Sequence, residues 1–329
     1  MGLDLRIRPE RLALRAPFRI SRGVKTHAEV VVVELARDGA TGRGECAPYP
    51  RYGETVESVV AELETAARAS SLDAALAALP PGAARNALDC AAWDLRARLE
   101  GRSVADLLGL PAAGPVPSAV TISLDGVDAM RDAAAAAADA PILKVKLDAD
   151  DPAARLLAVA EAAPAARLIA DPNESWTAAL VAEMAPVLAR TRVALLEQPL
   201  PAGEDAALEG IACPVPICAD ESLHTRADLA AVARRYQAVN VKLDKAGGLT
   251  EAAALARAAR AAGLKVMVGC MVASSLAIAP ALPLAAGADL VDLDGPWWLA
   301  RDREGGCRFE QGVILPPQPG FWGDPIPRL

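Results

Sequence analysis

From about Ser118 onward, short apolar runs ending in a polar or charged residue alternate with Ala-rich stretches of helical character, the pattern of repeated strand-helix units. The runs read SAVTISL, ILKVKL, RLIAD, VALLE, VPICAD, AVNVKL, KVMVGC and ADLVDLD. Several are rich in Val and Ile, which suit a parallel sheet covered on both faces. With Thr121, Lys146, Asp171, Glu197, Asp220, Lys242, Cys270 and Asp292 as strand ends, the spacing is 22 to 28 residues throughout. Eight such units predict an α/β fold, a (β/α)8 barrel. The helix over Glu251 to Ala261, stopped by Gly263, is typical of the connections.

Ahead of the barrel, Leu3 to Arg8 and Glu29 to Arg37 read as strands of a separate sheet, and Glu54 to Ser70 and Arg85 to Glu100 as helices. The expected organisation is an α+β capping domain over residues 1–114 and a barrel over 115–300, divided at the Pro/Gly-rich stretch PAAGPVP (Pro111 to Pro117). Residues 301–329 have no full strand-helix unit left to build and are expected to return to the cap.

The 329 residues are 53% hydrophobic, enough for a large core. A formal charge of −8 and an aromatic content of 3% leave neither a basic surface nor a stacking platform for nucleic acid. The charged start lacks the apolar core of a secretory signal, and no apolar run is long enough to span a membrane, so a cytoplasmic location without a membrane partner is expected. Six scattered cysteines without CxxC spacing suggest neither disulfides nor a zinc site.

Active sites of such barrels lie at the carboxyl ends of the strands. Five consecutive strands end in charge there: Lys144 and Lys146 on the second, Asp171, Glu197 and Asp220 on the third to fifth, and Lys242 on the sixth. Three adjacent buried carboxylates repel unless a cation sits among them. Their oxygen-only donor set favours Mg2+, with Mn2+ as a substitute, over Zn2+. In a ring of eight strands the second and sixth are opposite, so Lys146 and Lys242 face each other across the mouth. Epimerisation needs that arrangement, because a proton leaves one face of a carbon and another arrives on the opposite face. Lys144 and Lys146, two apart on one strand, point the same way, and the like charge of Lys144 is expected to lower the pKa of Lys146.

At these residues the sequence resembles the muconate-lactonising subgroup of the enolase superfamily: KVK (Lys144 to Lys146), DPNESW (Asp171 to Trp176), EQPLP (Glu197 to Pro201), ADES (Ala219 to Ser222) and VKLDKAGG (Val241 to Gly248). Two further segments, GECAPYPRYGE (Gly44 to Glu54) and ARNALDCAAWDL (Ala84 to Leu95), are similar to the cap and first linker of its dipeptide epimerases, so the resemblance covers the whole chain. Pro172 departs from the pattern, where Ala is more usual. The resemblance implies a modified barrel of (β/α)7β type, Mg2+ on Asp171, Glu197 and Asp220, and Lys146 and Lys242 as the acid/base pair. It also implies that DLDGP (Asp292 to Pro296) holds a substrate ammonium through Asp292 and Asp294, with Lys144, Arg22, Thr121, Cys270 and Met271 as further substrate-binding residues and Asn173 and Glu221 supporting them.

A dipeptide zwitterion spans from metal to acidic pair, and L-Ala-L-Glu/L-Ala-D-Glu, a peptidoglycan peptide, is the favoured substrate. The segment PFRISRGVKT (Pro17 to Thr26) reads as a mobile lid with Gly23 as hinge, where Arg19, Arg22 or Lys25 contacts a distal carboxylate. His27 and His224 fall on no barrel strand end and are taken as structural or supporting. The alternatives are an N-acylamino acid racemase, a succinylbenzoate-forming dehydratase or a cycloisomerase of the same subgroup, and, more remotely, a non-catalytic metal-binding barrel. A homo-oligomer is allowed but not specified.

Overall fold

The computed structural model describes residues 2–325. The chain begins with a long antiparallel hairpin, β1 (Asp4–Ile20) and β2 (Gly23–Arg37), joined by β3 (Ala40–Cys46) into a three-stranded sheet. Helices α1 (Val56–Ala66), α2 (Leu72–Ala78) and α3 (Ala83–Glu100) follow. The cap core packs Val31, Val33 and Leu35 of β2 against Ala84, Ala87, Leu88 and Ala91 of α3. Close approach is obligatory at β3: a Cβ at Gly44 would lie 2.1 Å from the Ala87 carbonyl oxygen, and one at Gly42 2.2 Å from that of Ala91.

A short helix, α4 (Val104–Leu108), and a two-residue strand, β4 (Val116–Pro117), lead into the barrel. Its eight parallel strands are β5 (Val120–Ile122), β6 (Ile142–Lys146), β7 (Arg167–Asp171), β8 (Val193–Glu197), β9 (Ile217–Ala219), β10 (Ala238–Lys242), β11 (Lys265–Gly269) and β12 (Leu290–Asp292), paired in chain order. The expected strand ends hold to within one residue. The ring closes where the Ala119 N–H donates to the Val291 carbonyl at 2.8 Å and the Leu293 N–H to Ser118 Oγ at 2.9 Å.

The connections include α5 (Val127–Ala136), α6 (Pro152–Ala162), α7 (Ala178–Arg190), α8 (Leu229–Val232), α9 (Leu243–Ala246), α10 (Leu249–Ala261), α11 (Ser275–Ile278) and α12 (Leu282–Ala285). Two of the expected helices are replaced. Between β8 and β9 only a four-residue 3-10 turn, Asp205–Leu208, forms. That segment carries Pro199, Pro201, Pro214 and Pro216 together with Gly203 and Gly210, which deny a helix its length. After β12 comes another 3-10 turn, Gly295–Trp298, and no α-helix among the described residues. Loss of the last helix gives the modified (β/α)7β barrel, the 3-10 turn standing for the helix of the β8–β9 unit. No helix among the described residues is long and apolar enough to cross a membrane, and all six cysteines are free.

Two expectations for the cap need correction. The strands of the hairpin run far beyond Leu3 to Arg8 and Glu29 to Arg37, because the polar half of the hairpin alternates exposed and half-buried positions and offers little hydrophobic contrast to read. The segment from Pro17 to Thr26 is accordingly the paired tip of that hairpin, turning at Ser21 and Arg22, with Gly23 at a φ of 146°. The tail returns to the cap, beginning with Arg303, which bridges Glu10 and Glu45. Next β13 (Arg308–Glu310) and β14 (Val313–Leu315) form a hairpin that pairs with β4. Phe321 to Gly323 then meet the cap again, where Gly323 N–H donates to Asp94 and Trp322 Nε1 to the Arg43 carbonyl. Residues 326–329, the end of the expected tail segment, lie outside the described residues.

Candidate active site

The inward-facing residues of the barrel form layers two residues apart along each strand. The lowest takes Ala119, just ahead of β5, with Ile142, Ile169, Leu195, Cys218, Ala238, Met267 and Leu290 from the seven other strands, and is entirely apolar. Two residues further along the same strands stand Thr121, Lys144, Asp171, Glu197, Asp220, Asn240, Gly269 and Asp292. Seven of these eight are polar or charged, and all seven are buried. One step higher on their strands come Lys146, Lys242 and Asp294. The mouth opens into a cavity of about 470 Å3 bounded by these groups, by the loop at Cys270 and Met271, and by the hairpin tip of the cap.

Charge in this layer is balanced pair by pair. Lys144 Nζ lies 3.1 Å from Asp171, 2.7 Å from Glu197 Oε2 and 2.7 Å from Asp292 Oδ2. Lys146 Nζ donates to Asp171 Oδ2 at 2.6 Å and Lys242 Nζ to Asp220 Oδ2 at 2.7 Å. Burial opposes ionisation of Asp171, but Lys146 and Lys144 outweigh it and hold the carboxyl at about 2. Burial likewise opposes ionisation of Asp220, and Lys242 and Lys245 drive it well below the usual carboxylate range. Glu197 goes the other way: burial and the neighbouring Asp171 push it up to about 7. The expectation that Lys144 acts on Lys146 as a bare like charge loses its premise, since three carboxylates surround that ammonium.

Asp171, Glu197 and Asp220 stand on consecutive strands, and the donor set is all oxygen. Glu197 Oε2 is buried without a hydrogen bond, its 2.7 Å approach to Lys144 lacking hydrogen-bond geometry, and burial and the neighbouring Asp171 oppose its ionisation. These features fit a hard cation. The residues do not form a ready-made cage, however: among those described, no three acidic, His or Cys groups converge at metal-binding spacing. Lysine ammoniums stand between them, so binding a cation requires Lys144 to yield.

Around the trio the backbone departs from strand geometry. Asn173 (φ 45°), Glu174 (φ 67°) and Gln198 (φ 32°) adopt left-handed conformations just past Asp171 and Glu197. The turn lets Asn173 N–H and Nδ2 donate back to Asp171 at 2.9 and 3.2 Å. Behind the site, Gln198 Oε1 accepts from the N–H groups of Asp220 and Ser222 and its Nε2 reaches Tyr236. Gln198, Asn240 and Lys245 were all missed from the sequence. For Asn240 a signal existed: it is the one polar residue inside AVNVK and shares a face with Lys242.

At the far wall Asp292 and Asp294 are both buried but not equivalent. Asp294 Oδ2 accepts from the Thr121 N–H at 2.8 Å and from Trp298 Nε1 at 3.2 Å, and burial with Asp292 beside it raises the carboxyl to about 6. Asp292 keeps Oδ1 without a hydrogen bond. The Cys270 thiol is pushed well up by burial and by the two aspartates.

The hairpin tip closes over the cavity, and here Arg22 departs from expectation. Its guanidinium donates to the Asn173 carbonyl (2.8 Å), Glu174 (3.0 Å), Glu221 (2.7 Å) and the Tyr49 hydroxyl (3.1 Å). With its donors bound to the protein, Arg22 latches the tip to the loops after β7 and β9 and is not free as an anion ligand. Arg51 grips Glu174 through two 2.8 Å bonds. Glu221 is raised by burial and by Asp220. Lys25 lies 4.7 Å over the Tyr49 ring and lines the cavity. Unlike the other cations lining it, Lys25 has no ion pair among the described residues. Arg19 uses its backbone to hold Ser123. His27 sits beside Thr26 and Arg11, and His224 meets the Tyr52 ring edge-on at 4.5 Å.

Comparison with known proteins bears on both halves of the chain. Residues 3–109 match the model of the mandelate racemase/muconate lactonizing enzyme N-terminal domain, and residues 128–321 match the enolase C-terminal domain-like model. The chain is 49% identical over 307 residues to the L-Ala-D/L-Glu epimerase of Escherichia coli K12, covering 92% of this chain and 96% of that one. It is 43% identical to an N-acetyl-D-glutamate racemase of Pseudoalteromonas, covering 89% and 95%. Among solved structures, an enolase family member from Agrobacterium tumefaciens with homology to dipeptide epimerases, with bound sodium and L-Ala-L-Glu, superimposes with a TM-score of 0.93. It shares 46% identity, with 97% of this chain and 99% of that one covered.

Proposed function

We propose, since this chain belongs to the mandelate racemase/muconate lactonizing enzyme family of the enolase superfamily, that it epimerises the α-carbon of the C-terminal residue of a dipeptide, with L-Ala-L-Glu and L-Ala-D-Glu as substrates. The observation that carries this reading is the pair of lysines on β6 and β10, four strands apart in an eight-stranded ring, with three carboxylates between them and Asp292 beyond. A substrate of that length suits a cavity of about 470 Å3.

In this mechanism Lys146 and Lys242 approach the α-carbon from opposite faces. The neutral one takes the proton and the ammonium partner delivers another, so the two exchange protonation states in each turnover. Asp171, Glu197 and Asp220 would hold Mg2+, or Mn2+ in its place. The metal would supply Lewis-acid stabilisation of the negative charge that develops on the substrate carboxylate. Asp292 offers its unbonded Oδ1 to the substrate ammonium, and Asp294 sets the Thr121 and Trp298 walls beside it. The Arg22 latch excludes water while the carbanionic centre exists. Lys25, the cavity cation left without an ion pair, receives the distal carboxylate of the glutamyl side chain. An L-Ala-D-Glu substrate links the enzyme to the breakdown of peptidoglycan peptides.

The test is proton NMR of L-Ala-L-Glu in deuterated buffer with Mg2+, with EDTA as control. Metal-dependent α-deuteration and growth of the L,D diastereomer are expected. A second reading, racemisation of an N-acylglutamate, has a specific basis: one relative is an N-acetyl-D-glutamate racemase, and here Asp292 is already paired with Lys144. Exchange with N-acetyl-L-glutamate and none with any dipeptide would decide for it.

A further inference from the structure

Lys245 is the least exposed of the ammonium groups near the mouth, and the mechanism above does not use it. It stands on α9, one turn beyond Lys242, 1% exposed. All three of its protons have acceptors: the Asp220 carbonyl, Asp220 Oδ1 at 2.6 Å and the Asn240 carbonyl at 3.0 Å. A fourth buried positive charge, beside those of Lys144, Lys146 and Lys242, is expensive, and a chain needing only volume there would carry Met or Leu. Asn240 in turn donates from Nδ2 to Glu197 Oε1 at 2.8 Å. That side chain fits only because β11 has a glycine opposite, where a Cβ at Gly269 would fall 2.4 Å from Asn240 Oδ1.

We propose that Lys245 is a positioning residue that fixes the Asp220 carboxylate from behind, so that only Oδ2 faces the mouth, and that with Asn240 it sets the Asp220 and Glu197 carboxylates as one unit. Asp220 is then held at three points. Gln198 accepts its N–H at 2.9 Å, and Lys245 binds its carbonyl and Oδ1. Oδ2 alone remains for Lys242, at 2.7 Å, and for a cation. Without Lys245 the carboxylate is free to rotate and to offer both oxygens to Lys242, which detains that lysine and blurs the cation site. Groups that orient metal-binding carboxylates in this way are worth about 10- to 100-fold in affinity or activity.

The inference rests on the epimerase reading for Lys242 but not for the cation site, and two measurements separate them. Calorimetric titration of Lys245→Met with Mg2+ alone is expected to show affinity at least about ten-fold weaker than wild type. In deuterated buffer, α-proton exchange is measured for each dipeptide isomer separately. The isomer served by Lys242, identified as the one still exchanged by Lys146→Ala, is expected to slow more than the other, with KM little changed at saturating Mg2+. Wild-type Mg2+ affinity in Lys245→Met, or equal slowing of both isomers, overturns the assignment. If wild type exchanges no dipeptide, the epimerase reading falls and the Mg2+ titration judges Lys245 by itself. Should Lys245→Met not fold, Lys245→Gln, which keeps one donor for Oδ1, takes its place; if neither folds, Lys245 is a folding element and the proposal is overturned.

Discussion

The floor and the mouth of this barrel occupy the same eight strands, two residues apart, and obey opposite rules. On the floor Ile142, Ile169, Leu195, Met267 and Leu290 pack without a single charge. At the next layer Lys144, Asp171, Glu197, Asp220 and Asp292 are just as buried, yet every one has an ion-pair partner. The floor needs only volume and shape. The mouth needs each group matched to an opposite one, because a buried charge left alone is far more costly than a missing methyl group. Stability therefore resides mainly below and chemistry above, on strands whose backbone geometry is shared.

The sharpest break in that contrast comes from the lysines. Lys146→Ala and Lys242→Ala are each expected to lower epimerisation by at least about 10³-fold, as loss of a positioned acid/base requires, while each retains α-proton exchange for one isomer only. Loss of exchange for both isomers in either variant would remove the two-base arrangement. On the floor, Ile169→Ala should reduce unfolding free energy by about 3 kcal/mol, read from urea denaturation, with kcat of the folded fraction unchanged. A large kcat effect there would mean that the layers are not independent.

Asp244 tests a charge that has no cation. It is buried at the seam between barrel and cap, where among the described residues only the Ala47 N–H (3.1 Å) and Asn86 Nδ2 (2.9 Å) donate to it, and burial raises it to about 7. A carboxyl whose folded pKa is raised holds its proton longer when folded than when unfolded. Its contribution to stability is thus present in acid and is lost as pH rises from about 4 to 7. Asp244→Asn removes that loss. The variant should gain on wild type across this window, levelling off at about 4 kcal/mol above pH 7; a constant difference at every pH would show that Asp244 is not the titrating group. The smallest effect is expected at the lid, where Lys25→Ala should narrow the preference for L-Ala-L-Glu over L-Ala-L-Leu by about ten-fold, about 1.4 kcal/mol in kcat/KM.

Alternation made much of this site readable in the sequence. A period of two with a charge at the end of each run located Lys146, Asp171, Glu197, Lys242 and Asp292 at strand ends, and the eight-fold repeat located their strands around the ring. The same rule fails where the backbone leaves strand geometry. Gln198 faces away from Glu197 as parity predicts, and its hold on the Asp220 and Ser222 N–H groups from behind the site rests on a turn, with a φ of 32°, that alternation does not reveal. Arg22 read as a free anion ligand because nothing local reveals that Glu174 and Glu221, about 150 and 200 residues later, reach it. The short helix α2 went unread for a different reason: LDAALAA has two turns and no strong apolar stripe. Ion-pair choices at the mouth depend on three-dimensional distances, so the sequence named the charges without naming their partners.

The route of the chain's last segment has a mechanical consequence. The chain starts in the cap, builds the barrel, runs beneath it through the β13–β14 hairpin, and bonds back onto α3 through Gly323 and onto β3 through Trp322. Arg303 adds a rivet on the way, bridging Glu10 and Glu45. The cap is thereby clasped at both ends of the polypeptide and cannot swing as a rigid body without tearing those bonds. Traffic in and out of the cavity must pass by a local flexing of the hairpin tip, a door cut into a fixed wall, and the latch at Arg22 is where that door is held shut.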